Sequence, residues 1–277
     1  GKPAFGVGPG NVPVYIDRSA DLEKAARYIV ASKAFDHYTI CASEQSIVAD
    51  KPIAGKLAHL MQEQGAFFAD EHITNILREL LFHPTGGINA ATVGKSPHFL
   101  AKLGGFDIPN DTRIIVVRLT RTGKEEPLSR EKLTTVIGWY EEDGWEAGCE
   151  RSIKLIHFGG RGHTLVIYAT DQDVIMAFGL EKPVFRILVN TMGTLGAVGL
   201  TTGLMPSMTL GAGGEGGSIT GDNVTVYHLF NIKRLAYEIT PPLAAAFTDP
   251  NIKAGPSRQE IEGIVQKVMQ EILRKPN

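Results

Sequence analysis

The sequence predicts an α/β fold, a largely parallel sheet flanked by helices. Short apolar segments with the character of strands alternate along the chain with longer segments in which apolar residues recur at helical spacing. Turns rich in glycine and proline separate these segments. Because strands that alternate with helices pair in parallel, this order favours one α/β layer structure over separate helical and sheet domains.

The predicted elements follow one another along the chain. A strand over 12–16 leads into a helix over 21–34, whose apolar residues occupy one face. The further predicted strands cover residues 45–49, 113–119, 134–140, 164–168 and 186–189. The further predicted helices cover residues 53–64, 70–81, 145–156 and 172–178. A long exposed strand is predicted over 227–238.

The segment 211–217 is rich in glycine and matches the pattern G-x-G-x-x-G. In a dinucleotide-binding site this pattern follows a strand, opens a helix and precedes an acidic residue by about 20 positions. None of these three features accompanies 211–217 in the sequence. We therefore expect a loop in which two stretches of backbone approach closely, as glycine permits.

The composition of the chain argues against two classes of partner, nucleic acids and membranes. With 277 residues, 43% of them hydrophobic, the chain can bury a large core. The net charge is −2, and the 28 basic and 30 acidic residues are scattered, so no nucleic-acid partner is predicted. No apolar run reaches the ~18 residues of a membrane span, so no membrane partner is predicted either. Two cysteines without a repeated spacing indicate a reducing, cytoplasmic location.

Cys41 is the strongest candidate for a reactive residue. A helical pattern ends shortly before it, small and polar residues surround it, and a strand pattern begins at Gln45. Such a turn at the edge of a strand can present a nucleophile. A lone cysteine is more often an inert part of a core, so both roles remain open on this residue alone.

Ordered motifs then narrow the choice: Gly6-Val7-Gly8-Pro9-Gly10, Ile40-Cys41-Ala42-Ser43-Glu44-Gln45, an acidic residue at Glu131, and Gly162-His163-Thr164. In this order they resemble the CoA-acylating branch of the aldehyde dehydrogenase superfamily, the acetaldehyde and propionaldehyde dehydrogenases that make acyl-CoA. The resemblance covers roughly residues 1–240 and only the second half of such an enzyme. The start on glycine rather than methionine likewise suggests a piece of a longer protein.

The resemblance implies a domain organisation. An aldehyde dehydrogenase catalytic domain is expected over 1–205. A Gly-rich loop and an oligomerisation strand that pairs with another subunit are expected over 206–240. Residues 241–256 are rich in proline, alanine and glycine, which predicts a linker.

The resemblance also implies roles for the matched residues. Cys41 would attack the aldehyde to give a thiohemiacetal, whose carbon transfers a hydride to NAD. Cys41 would then hold the acyl group as a thioester until CoA accepts it. Glu131 would bind the ribose hydroxyls beside the nicotinamide, and Gly8 and Gly10 would lie against the cofactor. Because Leu133-Thr134-Thr135 replaces the usual Phe-Gly-Pro, a carboxylate at a helix N-terminus remains the alternative for Glu131.

His163 lies in a glycine-rich turn that opens an apolar strand. Acylating members of the superfamily carry Gly-His-Thr here, near the nucleophile, where an imidazole can lower the pKa of a thiol or move its proton. A structural histidine at a strand edge is the alternative. Hydrolytic members carry a glutamate in the segment aligned with 6–10, and this chain has no acid there, which favours acyl-CoA as the product.

The other candidates are predicted to be structural. Cys149 is expected to pack inside the helix over 145–156, and Trp139 and Trp145 are expected in a core or an interface. No metal site is predicted, because the spacing of the remaining histidines assembles no ligand set. The histidines considered for such a set are His37, His83, His98 and His157, four of the eight in the sequence.

The last segment, 257–275, predicts an amphipathic helix with Ser257 and Glu260 at capping-box spacing. Its apolar residues form one stripe; they are Ile261, Ile264, Val265, Val268, Met269, Ile272 and Leu273. A tethered amphipathic helix resembles the encapsulation peptides that carry enzymes into bacterial microcompartments. A terminal helix docked on its own subunit is the alternative.

These observations predict an oxidoreductase that converts a short-chain aldehyde, propionaldehyde or acetaldehyde, with NAD and CoA into acyl-CoA. It is expected to form a homo-oligomer in the cytoplasm or in the lumen of a microcompartment, where a shell protein would be a partner. An acyl-phosphate reductase of the same superfamily, with Cys41 as nucleophile, and a non-catalytic assembly or cargo piece remain alternatives. The piece alone is expected to be inactive, since the resemblance places the main cofactor-binding half upstream.

Overall fold

Seven strands form one sheet in the computed structural model, which describes residues 4–237, 239 and 257–274. The strands are β1 (Val12–Ile16), β2 (Glu44–Asp50), β3 (Ala66–Ala69), β4 (Ile114–Arg118), β5 (Val136–Glu142), β6 (Gly162–Tyr168) and β7 (Val184–Val189). Their order is β3-β4-β5-β2-β1-β6-β7, and every neighbouring pair is parallel. The predicted α/β class with a parallel sheet is confirmed.

Helices cover both faces of the sheet. They are α1 (Leu22–Ala34), α2 (Lys51–Glu63), α3 (Glu71–Leu81), α4 (Pro97–Gly104), α5 (Trp145–Gly159), α6 (Gln172–Glu181) and α7 (Gly193–Ala197). A further helix, α8 (Arg258–Arg274), follows near the end of the chain. One core lies under α1 and α2, and a second core lies under α3 to α6. None of the described helices is long and apolar enough to cross a membrane.

The central strands are buried along their whole length, which explains their sequence character. β1, β2 and β6 have no exposed residue. Along β1, Val14 and Ile16 pack into one core and Tyr15 packs into the other. Parallel strands covered on both faces carry apolar residues in near-continuous runs, and this is the pattern that predicted them.

Three short elements were not predicted. β3 has four residues and begins soon after α2 ends, too short a run to show its own periodicity. α7 has five residues. α4 begins after Ser96, whose side chain accepts a hydrogen bond from the Phe99 N–H at 3.3 Å, and Pro97 occupies its first turn. Both are standard signals of a helix start.

The strand predicted over 227–238, which is expected to pair with another subunit, is not observed in the single chain. Val226–Leu229 form a 3₁₀ turn, and residues 230–237 are in no strand. A strand is held by hydrogen bonds to a neighbouring strand, and this segment pairs with none among the described residues.

The chain divides into two units after Phe230, and α8 belongs to the second. The amphipathic helix predicted over 257–275 is observed as α8. The capping box is also confirmed, because the Ser257 N–H donates to Glu260 Oε2 at 2.6 Å and the Glu260 N–H donates to Ser257 Oγ at 3.4 Å. The linker predicted over 241–256 lies outside the described residues, as does residue 275.

Candidate active site

Four of the predicted site residues meet at the amino-terminal edge of the sheet. Gly10 lies just before β1, Cys41 just before β2 and Glu131 in the loop before β5, while His163 is the second residue of β6. β5, β2, β1 and β6 are consecutive neighbours and parallel, so their starting ends lie side by side. The sheet order thus brings together residues that are far apart in sequence.

Cys41 and His163 are in direct contact. Sγ of Cys41 lies 3.2 Å from Nε2 of His163, and Nδ1 of the same ring lies 2.9 Å from Oγ1 of Thr164. The imidazole is fully buried, whereas Cys41 is partly exposed. A partly exposed cysteine against a fixed imidazole is an arrangement that suits a cysteine nucleophile.

Burial sets the protonation of this pair. It lowers the pKa of His163 to about 3, and the positive charge of Arg186 contributes in the same direction. Burial also raises the pKa of the Cys41 thiol, as does the negative charge of Glu131. The resting pair is therefore a thiol and a neutral imidazole.

Glu131 is fixed at the same edge by two hydrogen bonds to one of its oxygens. Oε1 accepts from the Gly10 N–H at 3.1 Å and from the Tyr38 hydroxyl at 3.2 Å. Burial raises the pKa of the carboxyl group. No helix begins at Glu131, which lies in a loop, so the alternative of a carboxylate at a helix N-terminus is wrong.

Gly10 must be a glycine for the site to close. A Cβ atom on Gly10 would lie 1.9 Å from the carbonyl oxygen of Cys41, which no real side chain tolerates. The other predicted glycine, Gly8, lies apart from the thiol. The nearest atoms to a Cβ there are Gly216 O at 3.5 Å and Ala212 Cβ at 3.7 Å, an ordinary contact.

The turn that leads into Cys41 is left-handed. Asp36, His37 and Tyr38 have φ angles of 49°, 47° and 73°. Each non-glycine residue in this conformation costs about 1–2 kcal/mol. These three residues lie three to five positions before Cys41, and backbone strain commonly accompanies functional sites.

Arg186 of β7 was not predicted, and it ties His163 to the glycine-rich loop. Its buried guanidinium donates to the carbonyl oxygen of His163 at 2.9 Å and to Oδ1 of Asn223 at 2.9 Å. It also donates to the carbonyl oxygens of Gly211 and Gly221. A single arginine in a strand pattern carries no signal for this role, because its partners come from three separate segments.

The glycine-rich segment is a closely packed loop, as predicted. A Cβ on Gly162, beside His163, would lie 1.8 Å from the carbonyl oxygen of Ala212, and a Cβ on Gly211 would lie 2.2 Å from that of Thr220. The loop backbone therefore lies directly against the start of β6.

Cys149 is structural in position, as predicted. It is only 4% exposed on α5, and its sulfur contacts the Lys182 ammonium group and Glu181. Trp139 is buried in the core. Within the described ranges, no three His, Cys, Asp or Glu side chains come together in a group that could hold a metal ion.

The chain is similar in sequence and in fold to known aldehyde dehydrogenases. An aldehyde-alcohol dehydrogenase of Clostridium acetobutylicum is 40% identical over 241 residues, which cover 85% of this chain and 28% of that protein. The crystal structure of an acetylating aldehyde dehydrogenase from Geobacillus thermoglucosidasius matches with 45% identity and a TM-score of 0.84, over 87% of this chain and 53% of that one. The homologues of this chain are acylating aldehyde dehydrogenases.

A solved structure with ligands also matches. A propionaldehyde dehydrogenase of Rhodopseudomonas palustris, with bound CoA and an acylated cysteine, is 25% identical with a TM-score of 0.72, over 80% of this chain and 49% of that one. No family model matches the chain. The chain thus spans about half the length of these solved acylating aldehyde dehydrogenases and less of the aldehyde-alcohol dehydrogenase.

Proposed function

We propose that this chain is the catalytic half of an acylating aldehyde dehydrogenase that converts a short-chain aldehyde, with NAD and CoA, into acyl-CoA. The contact between Cys41 Sγ and His163 Nε2, at 3.2 Å, carries the proposal. Propionaldehyde or acetaldehyde is the proposed substrate, and the match to a propionaldehyde dehydrogenase supports this choice.

Cys41 is the proposed nucleophile. The thiol gives up its proton, and Nε2 of His163 is the nearest group to receive it or to hydrogen-bond the thiolate. The sulfur bonds to the carbonyl carbon, and the electron pair of the C=O bond moves onto oxygen, to which the Cys41 N–H would donate. When the carbon loses hydride, Cys41 carries the acyl group as a thioester.

Glu131 and the glycine segment fit the nicotinamide side of NAD, which when bound supplies the hydride acceptor. Carboxylate oxygens accept hydrogen bonds from vicinal hydroxyls. Both hydrogen bonds to Glu131 reach Oε1, and no described residue donates to Oε2. We assign Glu131 to the ribose hydroxyls and Gly8 and Gly10 to the backbone that approaches the cofactor.

CoA is the proposed acyl acceptor. Its thiolate attacks the thioester carbon, the bond from carbon to Cys41 breaks, and Cys41 leaves as a thiolate. Hydrolysis would compete if a general base activated water, but segment 6–10 contains no acidic residue. The solved homologue with CoA and an acylated cysteine supports this order of events.

We also propose that the chain acts in a homo-oligomer. Residues 230–237 are in no strand in the single chain, and a strand from a second copy would supply the missing hydrogen bonds.

For α8 we propose a microcompartment shell protein as the partner. Ile261, Ile264 and Val265 are each at least half exposed on this helix.

Labelling with iodoacetamide tests the nucleophile directly, because the chain has only two cysteines. Mass spectrometry is expected to find Cys41 alkylated first and Cys149 protected by burial. Alkylation of Cys149 with Cys41 inert would contradict the proposal.

Activity is tested in the chain joined to a cofactor-binding half. There, Cys41→Ser is expected to abolish CoA-dependent NADH formation, and His163→Ala is expected to alter the pH dependence of that reaction. The 277-residue chain alone is expected to turn over negligibly.

A further inference from the structure

Tyr38 occupies an unusual position beside the site. It has a φ of 73°, a conformation that a bulky side chain rarely adopts. Its side chain is nevertheless buried, with 1% of its surface exposed. The hydroxyl donates to Oε1 of Glu131 at 3.2 Å and lies 3.5 Å from the carbonyl oxygen of Gly10.

The ring of Tyr38 also contacts a buried lysine. The Lys33 amino group lies 4.0 Å from the ring centroid, and Lys33 is itself fully buried. The same amino group lies 3.5 Å from Oε1 of Gln45. Tyr38 therefore cannot move without breaking its contact with the buried Lys33.

The partners of Glu131 suggest the purpose of this arrangement. A carboxylate on a flexible side chain must lose rotational freedom when it binds a diol. Here the Gly10 N–H and the Tyr38 hydroxyl already hold Oε1, and no described residue donates to Oε2. One oxygen is fixed and the other is available.

We propose that Tyr38 is a positioning residue that anchors Oε1 of Glu131 and so presents Oε2 to the ribose hydroxyls of the cofactor. The inference rests on the proposed function, in which Glu131 binds that ribose. The left-handed turn over 36–38 is the backbone device that places the phenol against the carboxylate, three residues before Cys41.

A first measurement tests the anchor without any ligand. The ¹³C NMR signal of the Glu131 carboxyl carbon is followed against pH in the 277-residue chain, with Glu131→Gln to assign it. The hydrogen bond from Tyr38 lowers the pKa of Glu131, together with the Gly10 N–H and the charges of Lys33 and Lys132. In Tyr38→Phe the titration midpoint is expected to rise. An unchanged midpoint in a folded Tyr38→Phe variant would overturn the proposal.

A second measurement tests the consequence for the diol. Nicotinamide riboside and its 2′,3′-dideoxy analogue are titrated against the same chain by ligand-detected NMR. The wild-type chain is expected to prefer the riboside, and Tyr38→Phe is expected to reduce the preference about tenfold or to abolish it. A merely structural role for the tyrosine would weaken both ligands equally.

The variant Glu131→Gln distinguishes the role of Tyr38 from the role of Glu131. This variant is expected to lose the preference, and adding Tyr38→Phe to it is expected to cause no further loss. If Tyr38→Phe keeps the wild-type preference, the role of Tyr38 is refuted and that of Glu131 stands. If the wild-type chain shows no preference, the ribose role of Glu131 fails and this inference fails with it, while labelling of Cys41 still decides the nucleophile.

Discussion

At the residue scale, charges of opposite sign act on the Cys41 thiol. Glu131 raises its pKa, whereas Arg186 and the main-chain N–H groups of Cys41 and Ala42 lower it. His163 adds no charge at neutral pH, because burial lowers its pKa to about 3. Hydroxyl donors that offset the charge of Glu131 are therefore expected to make the thiol more acidic. Cofactor binding would then raise the reactivity of the nucleophile.

Replacement of Glu131 tests this coupling. Glu131→Gln removes a negative charge that opposes thiolate formation, so the pKa of Cys41 should fall. The pH profile of Cys41 alkylation should therefore move to lower pH. Glu125→Gln, at a side chain 79% exposed, is the matched control. A shift toward higher pH would show that Glu131 does not act on the thiol through its charge.

At the element scale, the left-handed turn over 36–38 connects α1 to the nucleophile. α1 ends at Ala34, and three residues then take φ angles that favour glycine. Tyr38 contacts Glu131 from this turn, whereas His37 is exposed and makes no hydrogen bond to any described residue. Of these two strained residues, Tyr38 therefore makes a contact at the site and His37 does not.

His37→Gly should relieve strain without touching the site. Glycine adopts φ near 47° without a steric cost, and the gain should exceed its extra entropy in the unfolded chain. We expect the free energy of unfolding to rise by about 0.5–1 kcal/mol in urea denaturation. His37→Ala keeps the strain and should give no gain. Equal effects of the two substitutions would show that the turn is not strained at this residue.

The tail helix α8 makes a second prediction at this scale. A helix of 17 residues is marginal alone in water and gains stability by burying its apolar stripe. Residues 241–277 fused to a fluorescent protein should co-localise with co-expressed shell proteins. Ile264→Glu should abolish this, and Gln266→Glu should not. Diffuse fluorescence of the unmutated fusion, with a lower melting temperature of the chain after deletion of the tail, would favour a helix docked on its own subunit.

At the scale of the whole molecule, the pattern of apolar residues and the order of the motifs predicted most of the fold. Contacts between residues far apart in the sequence could not be predicted in this way. Buried strands such as β1 and β6 show continuous apolar runs, and the ordered motifs placed Cys41, Glu131 and His163 in one site. Tyr38 and Glu131 are 93 residues apart, and no local pattern links them. The strand predicted over 227–238 is not observed, since Val226–Leu229 form a 3₁₀ turn and residues 230–237 pair with no strand among the described residues.

Stability in acid should reflect the buried imidazole. The unfolded chain binds a proton at His163 below about pH 6.5, whereas the folded chain binds it only near pH 3. The unfolded state therefore binds more protons in this window, and stability falls as pH falls, by about 1.4 kcal/mol per pH unit for this residue. His163→Gln should remove that share of the slope in urea denaturation between pH 6 and pH 4, and His72→Gln, at an exposed residue of α3, is the control. Parallel curves for wild type and His163→Gln would contradict the prediction.

The position of β6 has a consequence for biosynthesis. Cys41 precedes its imidazole partner by 122 residues, and β6 joins the sheet beside β1 rather than beside β5, the strand made before it. At 5–20 residues per second, a ribosome needs roughly 6–24 s to make the intervening chain. Throughout that interval the nascent protein carries an unpartnered sulfhydryl, and the assembled reactive centre appears only after the sixth strand has been translated and docked.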